Sequence, residues 1–179
     1  SFIECELPGP ANSGGSFVFG KDKGGDEFTQ AYLFDRATGL AKAFTEPGTQ
    51  NAGVRFTKDG KLAAWTVTRN GTAVRDIVIA NPEQPDSRRL VYRAEGGFGI
   101  ADLSDDGKTI LLGQGISVNY SKRWTLDVAT GTLTAITPDL KVAYDGGTFA
   151  ADGKSIYILT DEGSEFSYLV QLDLATGAR

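Results

Sequence analysis

The sequence predicts an all-β protein made of one four-stranded unit that recurs about every 46 residues. Three observations support this fold class. An Asp-Gly-Lys triplet repeats, an Asp-x-Ala-Thr-Gly segment repeats with the same period, and the apolar residues show no helical spacing. The composition agrees, because 23 glycines in 179 residues suit a chain with many tight turns.

The first marker is the Asp-Gly-Lys triplet, which begins at Asp59, Asp106 and Asp152, so that its copies are 47 and 46 residues apart. A degenerate copy, Asn-Ser-Gly-Gly at 12–15, lies one period earlier. Asp-Gly directly before an apolar run is typical of a tight hairpin in which the glycine has a positive φ. We therefore interpret these residues as turn-forming rather than ligand-binding.

The second marker, Asp-x-Ala-Thr-Gly, begins at Asp35, Asp127 and Asp173, two periods and then one period apart. The missing copy falls at Asn81, directly after an apolar run. In such a segment the aspartate accepts hydrogen bonds from the backbone N–H groups ahead of it, and the glycine closes the turn. This marker also predicts a hairpin.

Each repeat therefore contains four short antiparallel strands, which is the blade of a β-propeller; a β-sandwich is the second choice. The strand after each Asp-Gly is apolar on both faces, which predicts cover on both sides. The first strand of the first blade is expected at 2–7, although this segment could instead cover the open edge of the last blade. The expected blades of this single domain are 1–46, 47–93, 94–140 and 141–179. Since the last blade is incomplete, we expect an open arc of a larger propeller that pairs with a second copy of itself.

Composition excludes several classes of function. The net charge of −5 disfavours binding to nucleic acids or anionic membranes, and no apolar run is long enough for a membrane helix. Without any histidine the chain has no Ser-His-Asp triad, and with Cys5 alone it has no internal disulfide. We expect no cofactor and no metal ion. The compartment stays open between cytoplasm and periplasm.

Candidate functional residues are the charged residues assigned to the loops between the second and third strands of each repeat. They are Glu27, Glu165, Arg69, Arg75 and Arg123. The two glutamates occupy similar segments, each followed by phenylalanine, and they could receive the cationic terminus of a peptide. Alternatively, each glutamate carboxylate caps its own loop by accepting hydrogen bonds from backbone N–H groups. The repetition of this segment in two blades favours this structural role. Asp22, Asp26 and Glu27 do not match calcium-loop spacing. Both tryptophans are expected in the core.

Several segments, in this order, resemble the propeller repeats shared by the TolB family and the bacterial prolyl oligopeptidase family. They are FVFGKDKGGDEF (17–28), TRNG (68–71), GISVN (115–119), KVAYDGG (141–147) and TDEGSEF (160–166). In the peptidase family the propeller precedes an α/β-hydrolase domain with a Ser-Asp-His triad and restricts access to it.

The resemblance implies that this chain gates or guides peptides toward a hydrolase domain that follows it in the parent chain. That domain is not expected within these residues, because they contain no Gly-x-Ser-x-Gly elbow, and the chain alone is expected to be inactive. Because the sequence has no initial methionine, we expect a processed, tagged or excised piece rather than a complete translated frame. The alternative is a TolB-like scaffold for protein–protein binding with no linked enzyme.

Overall fold

The computed structural model describes residues 16–25, 28–69 and 71–179 in full, and the backbone of the strand at 2–6. The regular structure of the described residues is entirely β and forms four antiparallel sheets. None of these residues lies in a helix long and apolar enough to cross a membrane. The chain divides into two compact units, Ser1–Ala94 and Glu95–Arg179, of two sheets each.

The first unit contains the first two sheets. Sheet 1 consists of β1 (Phe2–Glu6), β2 (Ser16–Lys21), β3 (Gln30–Asp35) and β4 (Leu40–Ala43). Sheet 2 consists of β5 (Thr49–Phe56), β6 (Ala63–Arg69), β7 (Arg75–Asn81) and β8 (Gln84–Ala94). Strand β1 pairs with β2, which confirms the prediction that this segment forms the first strand of the first blade.

The second unit contains the other two sheets. Sheet 3 consists of β9 (Phe98–Leu103), β10 (Thr109–Ser117), β11 (Tyr120–Asp127) and β12 (Leu133–Ala135). Sheet 4 consists of β13 (Tyr144–Phe149), β14 (Ser155–Thr160) and β15 (Tyr168–Asp173). Within every sheet each strand pairs with the next one along the chain, so the predicted blade pattern of a β-propeller is confirmed.

The two sequence markers form the predicted turns. Their glycines, Gly39, Gly60, Gly107, Gly131, Gly153 and Gly177, all have φ between 66° and 71°. In the Asp127 turn the carboxylate Oδ1 accepts hydrogen bonds from the N–H of Ala129 (3.0 Å) and of Thr130 (2.7 Å). In the Asp106 turn Oδ1 accepts from the N–H of Lys108 (3.0 Å) and the hydroxyl of Ser104 (2.8 Å). The backbone donors lower the pKa of both carboxyls below 3.8, because they stabilise the charged form.

The core of the first unit lies between sheets 1 and 2. Val18 and Ala31 of sheet 1 and the following Phe44 pack with Trp65 and Val67 of β6. The rings of Phe44 and Trp65 meet edge-on, with 5.5 Å between their centroids. All of β6 from Ala63 to Val67 is buried, so the predicted cover on both faces is confirmed for this strand. Trp65 lies in the core, and its indole N–H donates to Asn51 (3.0 Å).

The core of the second unit lies between sheets 3 and 4. Leu111 of β10 and Tyr144 of β13 pack with Ile156, Ile158 and Val170 of sheet 4. The second tryptophan, Trp124, is only partly buried; its ring lies 6.0 Å from that of Phe98.

The opposite face of sheet 4 lacks the cover that the apolar pattern of β14 predicts, but it is exposed as we expect for the last blade of an open arc. Leu159 and Leu169, which are paired across β14 and β15, are 43% and 65% exposed, and Tyr157 of β14 is 37% exposed. Within the second unit, sheet 3 packs against only one face of sheet 4, so residues that alternate along β14 face solvent.

Candidate functional site

Charged side chains of the first unit line a groove of about 310 Å³. We call it the arginine groove. Its charged lining consists of four arginines and two carboxylates, namely Arg69, Arg88, Arg89, Arg93, Glu46 and Asp76. A second recess of about 210 Å³ shares Arg69, Asp76 and Arg93 with it.

The strand register places these side chains together. Arg69 is the last residue of β6 and follows Trp65 and Val67 on the face of the strand that packs toward sheet 1. Asp76 of β7 lies opposite Val67 on one side and Arg93 of β8 on the other. Strands β6, β7 and β8 of sheet 2 therefore supply most of the charged lining of the groove, and the connection after β4 adds Glu46.

A buried carboxylate organises the centre of the groove. The side chain of Asp76 is only 5% exposed, and it forms ion pairs with Arg69 and with Nε of Arg93, the latter at 3.0 Å. Arg69 also reaches Glu46, with 3.0 Å between Nη2 and Oε2. A carboxylate in such a position needs cationic partners, since an unpaired buried charge is strongly destabilising. Arg69 and Arg93 thus have a structural function at Asp76 while 46% and 64% of their side chains remain exposed.

The rest of the lining combines positive charge with apolar surface. Arg88 is half-buried, and its Nη1 donates to the carbonyl oxygen of Phe44 (3.1 Å). Because a carbonyl oxygen is neutral, this contact does not balance the positive charge of Arg88. Val78 and Leu90 supply the accessible apolar lining, while Trp65 and Val67, also beside the groove, are buried in the core. Such a groove can hold an anionic group next to an apolar one.

The structure separates the three arginines that the sequence singled out. Arg69 lines the groove, whereas Arg75 lies beside Asp76 in β7 on the opposite face of the strand and is exposed. Arg123 is 6% exposed; its Nε donates to the carbonyl of Gly146 (2.8 Å). Burial lowers the pKa of the Arg123 guanidinium, and the charge of Asp145 opposes that shift. The assignment of these arginines to loops is wrong, because β6, β7 and β11 extend far enough to include them.

Of the two predicted glutamates, the structure describes only Glu165. Glu165 is exposed in the connection between β14 and β15, while Glu27 lies outside the described residues. In the β14–β15 connection it is Asp161 that accepts a hydrogen bond from the N–H of Ala143 (2.9 Å).

Glu162, in the same connection, contacts two side chains outside this loop, Tyr144 and Arg179. It accepts a hydrogen bond from the hydroxyl of the buried Tyr144 and pairs with Arg179. Arg179 and Tyr144 lower the pKa of Glu162. Burial, aided by Glu162, raises the pKa of Tyr144 to about 12.

Sequence reasoning missed Arg88, Arg89 and Arg93 as groove residues. The signal was present as the segment RRLVYR (88–93), which concentrates three arginines in six residues of an acidic chain. The described residues contain no group of three or more His, Cys, Asp or Glu side chains placed to hold a metal ion.

The successive antiparallel sheets have the fold of a β-propeller, and solved TolB and prolyl oligopeptidase structures share this fold. No family model matches the sequence, and no curated protein matches it. TolB from Acinetobacter baumannii has a TM-score of 0.70 and 19% identity, over 98% of this chain and 42% of that one. Prolyl oligopeptidase B from Galerina marginata has a TM-score of 0.71 and 15% identity, over 98% of this chain and 27% of that one.

An oligogalacturonate lyase in complex with manganese has the same fold, with a TM-score of 0.72 and 15% identity. The match covers 90% of this chain and 46% of that one. The chain therefore spans less than half the length of these three solved structures. At these identities the likeness concerns the fold alone.

Proposed function

We propose that this chain is the propeller portion of a peptidase of the prolyl oligopeptidase type, where it restricts and guides peptide access to a separate α/β-hydrolase domain. The observation that carries the proposal is the structural likeness to a prolyl oligopeptidase over 98% of this chain. The arginine groove supports it, because its guanidinium groups and apolar lining suit the binding of a peptide.

In this proposal the catalytic residues belong to the other domain. The 179 residues contain no histidine and no Gly-x-Ser-x-Gly elbow, so the propeller contributes binding and exclusion rather than bond cleavage. The partners are therefore the hydrolase domain of the parent chain and peptide substrates.

The test uses the parent protein with two substrates that share one cleavage site, a short chromogenic peptide and a folded protein carrying the same sequence in a surface loop. We expect the short peptide to be cleaved with a kcat/KM at least about tenfold higher, because a propeller excludes large substrates. A variant with the hydrolase serine replaced by alanine is the control for contaminating peptidases. Equal cleavage of both substrates would refute gating by the propeller.

A second candidate is a scaffold that binds another protein and has no linked enzyme. It is favoured by the likeness to TolB, which covers the same 98% of this chain. The parent reading frame distinguishes the two proposals. A Gly-x-Ser-x-Gly motif followed by aspartate and histidine supports the peptidase, and a parent chain without them supports the scaffold.

A further inference from the structure

The arginine groove is lined by more guanidinium groups than carboxylates. Its lining holds four guanidinium groups against the carboxylates of Glu46 and Asp76, in a chain whose net charge is −5. Four of the nine arginines of the sequence are thus concentrated at one groove. Arg69 and Arg93 contact Asp76, whereas Arg88 contacts a neutral carbonyl oxygen, that of Phe44.

The geometry leaves arginine side chains accessible to a ligand. Arg93 uses Nε for Asp76 and keeps 64% of its side chain exposed. Arg88 is held in place by the carbonyl of Phe44, which positions its guanidinium without neutralising it. Because a guanidinium is planar and offers several N–H donors, a positioned arginine can bind a carboxylate through two parallel hydrogen bonds.

Apolar surface lies within the same groove. Leu90 of β8 is 47% exposed although it lines a concave surface, and Val78 is its partner across the β7–β8 pairing. A ligand that is only an anion would leave this apolar lining in contact with water. A ligand with an apolar side chain next to a carboxylate would cover both parts.

We propose that the arginine groove binds the carboxylate of a peptide together with an adjacent apolar side chain, with Arg88 and Arg93 as the carboxylate contacts and Leu90 as the apolar contact. The choice of a peptide as the ligand rests on the proposed function, but the site belongs to this chain and needs no hydrolase domain. The carboxylate is either the C-terminus of the peptide or an acidic side chain within it.

The test is a calorimetric titration of the full chain with three peptides. They are Ac-Ala-Ala-Phe with a free C-terminal acid, the same peptide as its C-terminal amide, and the amide of Ac-Ala-Glu-Phe. We expect the free acid to bind at least about tenfold more tightly than its amide, since charge-assisted hydrogen bonds are lost. If the glutamate peptide binds as tightly as the acid, a side-chain carboxylate also fills the groove. If the glutamate peptide binds as weakly as the amide of Ac-Ala-Ala-Phe, the site recognises the C-terminal carboxylate.

Matched variants locate the site. Arg88→Gln is expected to weaken binding of the acid about tenfold, while Arg88→Lys, which keeps the charge but not the planar fork, weakens it less. The control is Arg36→Gln, which removes the same charge from the exposed β3–β4 turn outside the groove lining and is expected to leave the affinity within about twofold. Circular dichroism checks that the variants are folded.

The comparison of acid and amide on the unaltered chain does not depend on any variant. Equal binding of acid and amide, no heat with any peptide up to about 10 mM, or an Arg88→Gln affinity equal to that of the unaltered chain would each overturn the proposal. Because these measurements require no peptide cleavage, a negative result in the activity assay of the parent protein leaves them interpretable.

Discussion

Single residues in the turns set the strand boundaries of this chain. Asp35, Asp127 and Asp173 each accept a hydrogen bond from the backbone N–H two residues ahead and another from a threonine hydroxyl three residues ahead. Each turn ends in a glycine with a positive φ. Such turns form from neighbouring residues alone, which is why they could be read from the sequence.

The backbone requirement at Gly153 leads to a stability prediction. Its φ is +66°, and an added Cβ would meet no atom within 4 Å, so Gly153→Ala tests conformational strain without a steric clash. We expect a loss of about 1–2 kcal/mol in the free energy of unfolding, measured by urea denaturation. The control is Gly99→Ala in β9, where a Cβ also meets nothing within 4 Å and φ is not positive. Equal effects of the two substitutions would contradict this explanation.

The Tyr144 hydroxyl gives a prediction at alkaline pH. Because the pKa is raised from 10.0 to about 12, the folded state favours the neutral phenol, and this contribution to stability is fully present below pH 10. It is lost as the pH rises through 12. We expect an absorbance titration at about 295 nm to show an ionisation step near pH 12, and Tyr144→Phe to remove that step. A step near pH 12 that is absent, or that Tyr144→Phe leaves unchanged, would contradict the burial of Tyr144.

Strands in neighbouring sheets of the second unit are connected through Asp102 of β9. Its Oδ2 accepts hydrogen bonds from the hydroxyl of Thr148 (2.8 Å) and from the N–H of Phe149 (2.8 Å), both in β13. The spacing of 46 and 47 residues equals one repeat. One carboxylate therefore connects the first strands of two successive blades.

Removal of this link should loosen β13 specifically. Asp102→Ala is expected to lower the free energy of unfolding by about 1–3 kcal/mol, because the half-buried N–H of Phe149 loses a charged acceptor. Native-state hydrogen exchange should show faster exchange at the Phe149 amide than in the unaltered chain. The matched control is Asp105→Ala, an aspartate three residues later that is exposed in the turn after β9. Unchanged exchange at Phe149 would mean that the contact does not hold the strand.

At the scale of the whole molecule, the outer face of sheet 4 exposes apolar side chains of the second unit to solvent. Leu159, Leu169 and Tyr157 are exposed together on it, and β15 forms the edge of the sheet. Exposed apolar residues beside an open strand edge favour association with another chain.

We therefore expect the 179-residue chain to self-associate at concentrations of tens of micromolar, as light scattering behind a sizing column would measure. The double variant Leu159→Lys, Leu169→Lys should shift the population toward the monomer, since it places charge on the associating face. The control is Val118→Lys, which changes a 98% exposed residue in the β10–β11 turn. A stable monomer of the unaltered chain at these concentrations would refute self-association.

The sequence by itself determined the repeat, the turns and the four-stranded blades, because these depend on residues within a few positions of one another. Asp127 and Gly131, for example, lie in one turn and need no distant partner. Only the tertiary structure decided the arginine groove and the exposed face of sheet 4. Glu46, Arg69, Asp76 and Arg93 meet only after sheet 2 has formed and packed against sheet 1, so their ion pairs depend on strand register and sheet packing. The apolar pattern of β14 shows which residues alternate, but the position of sheet 3 determines which of them are buried.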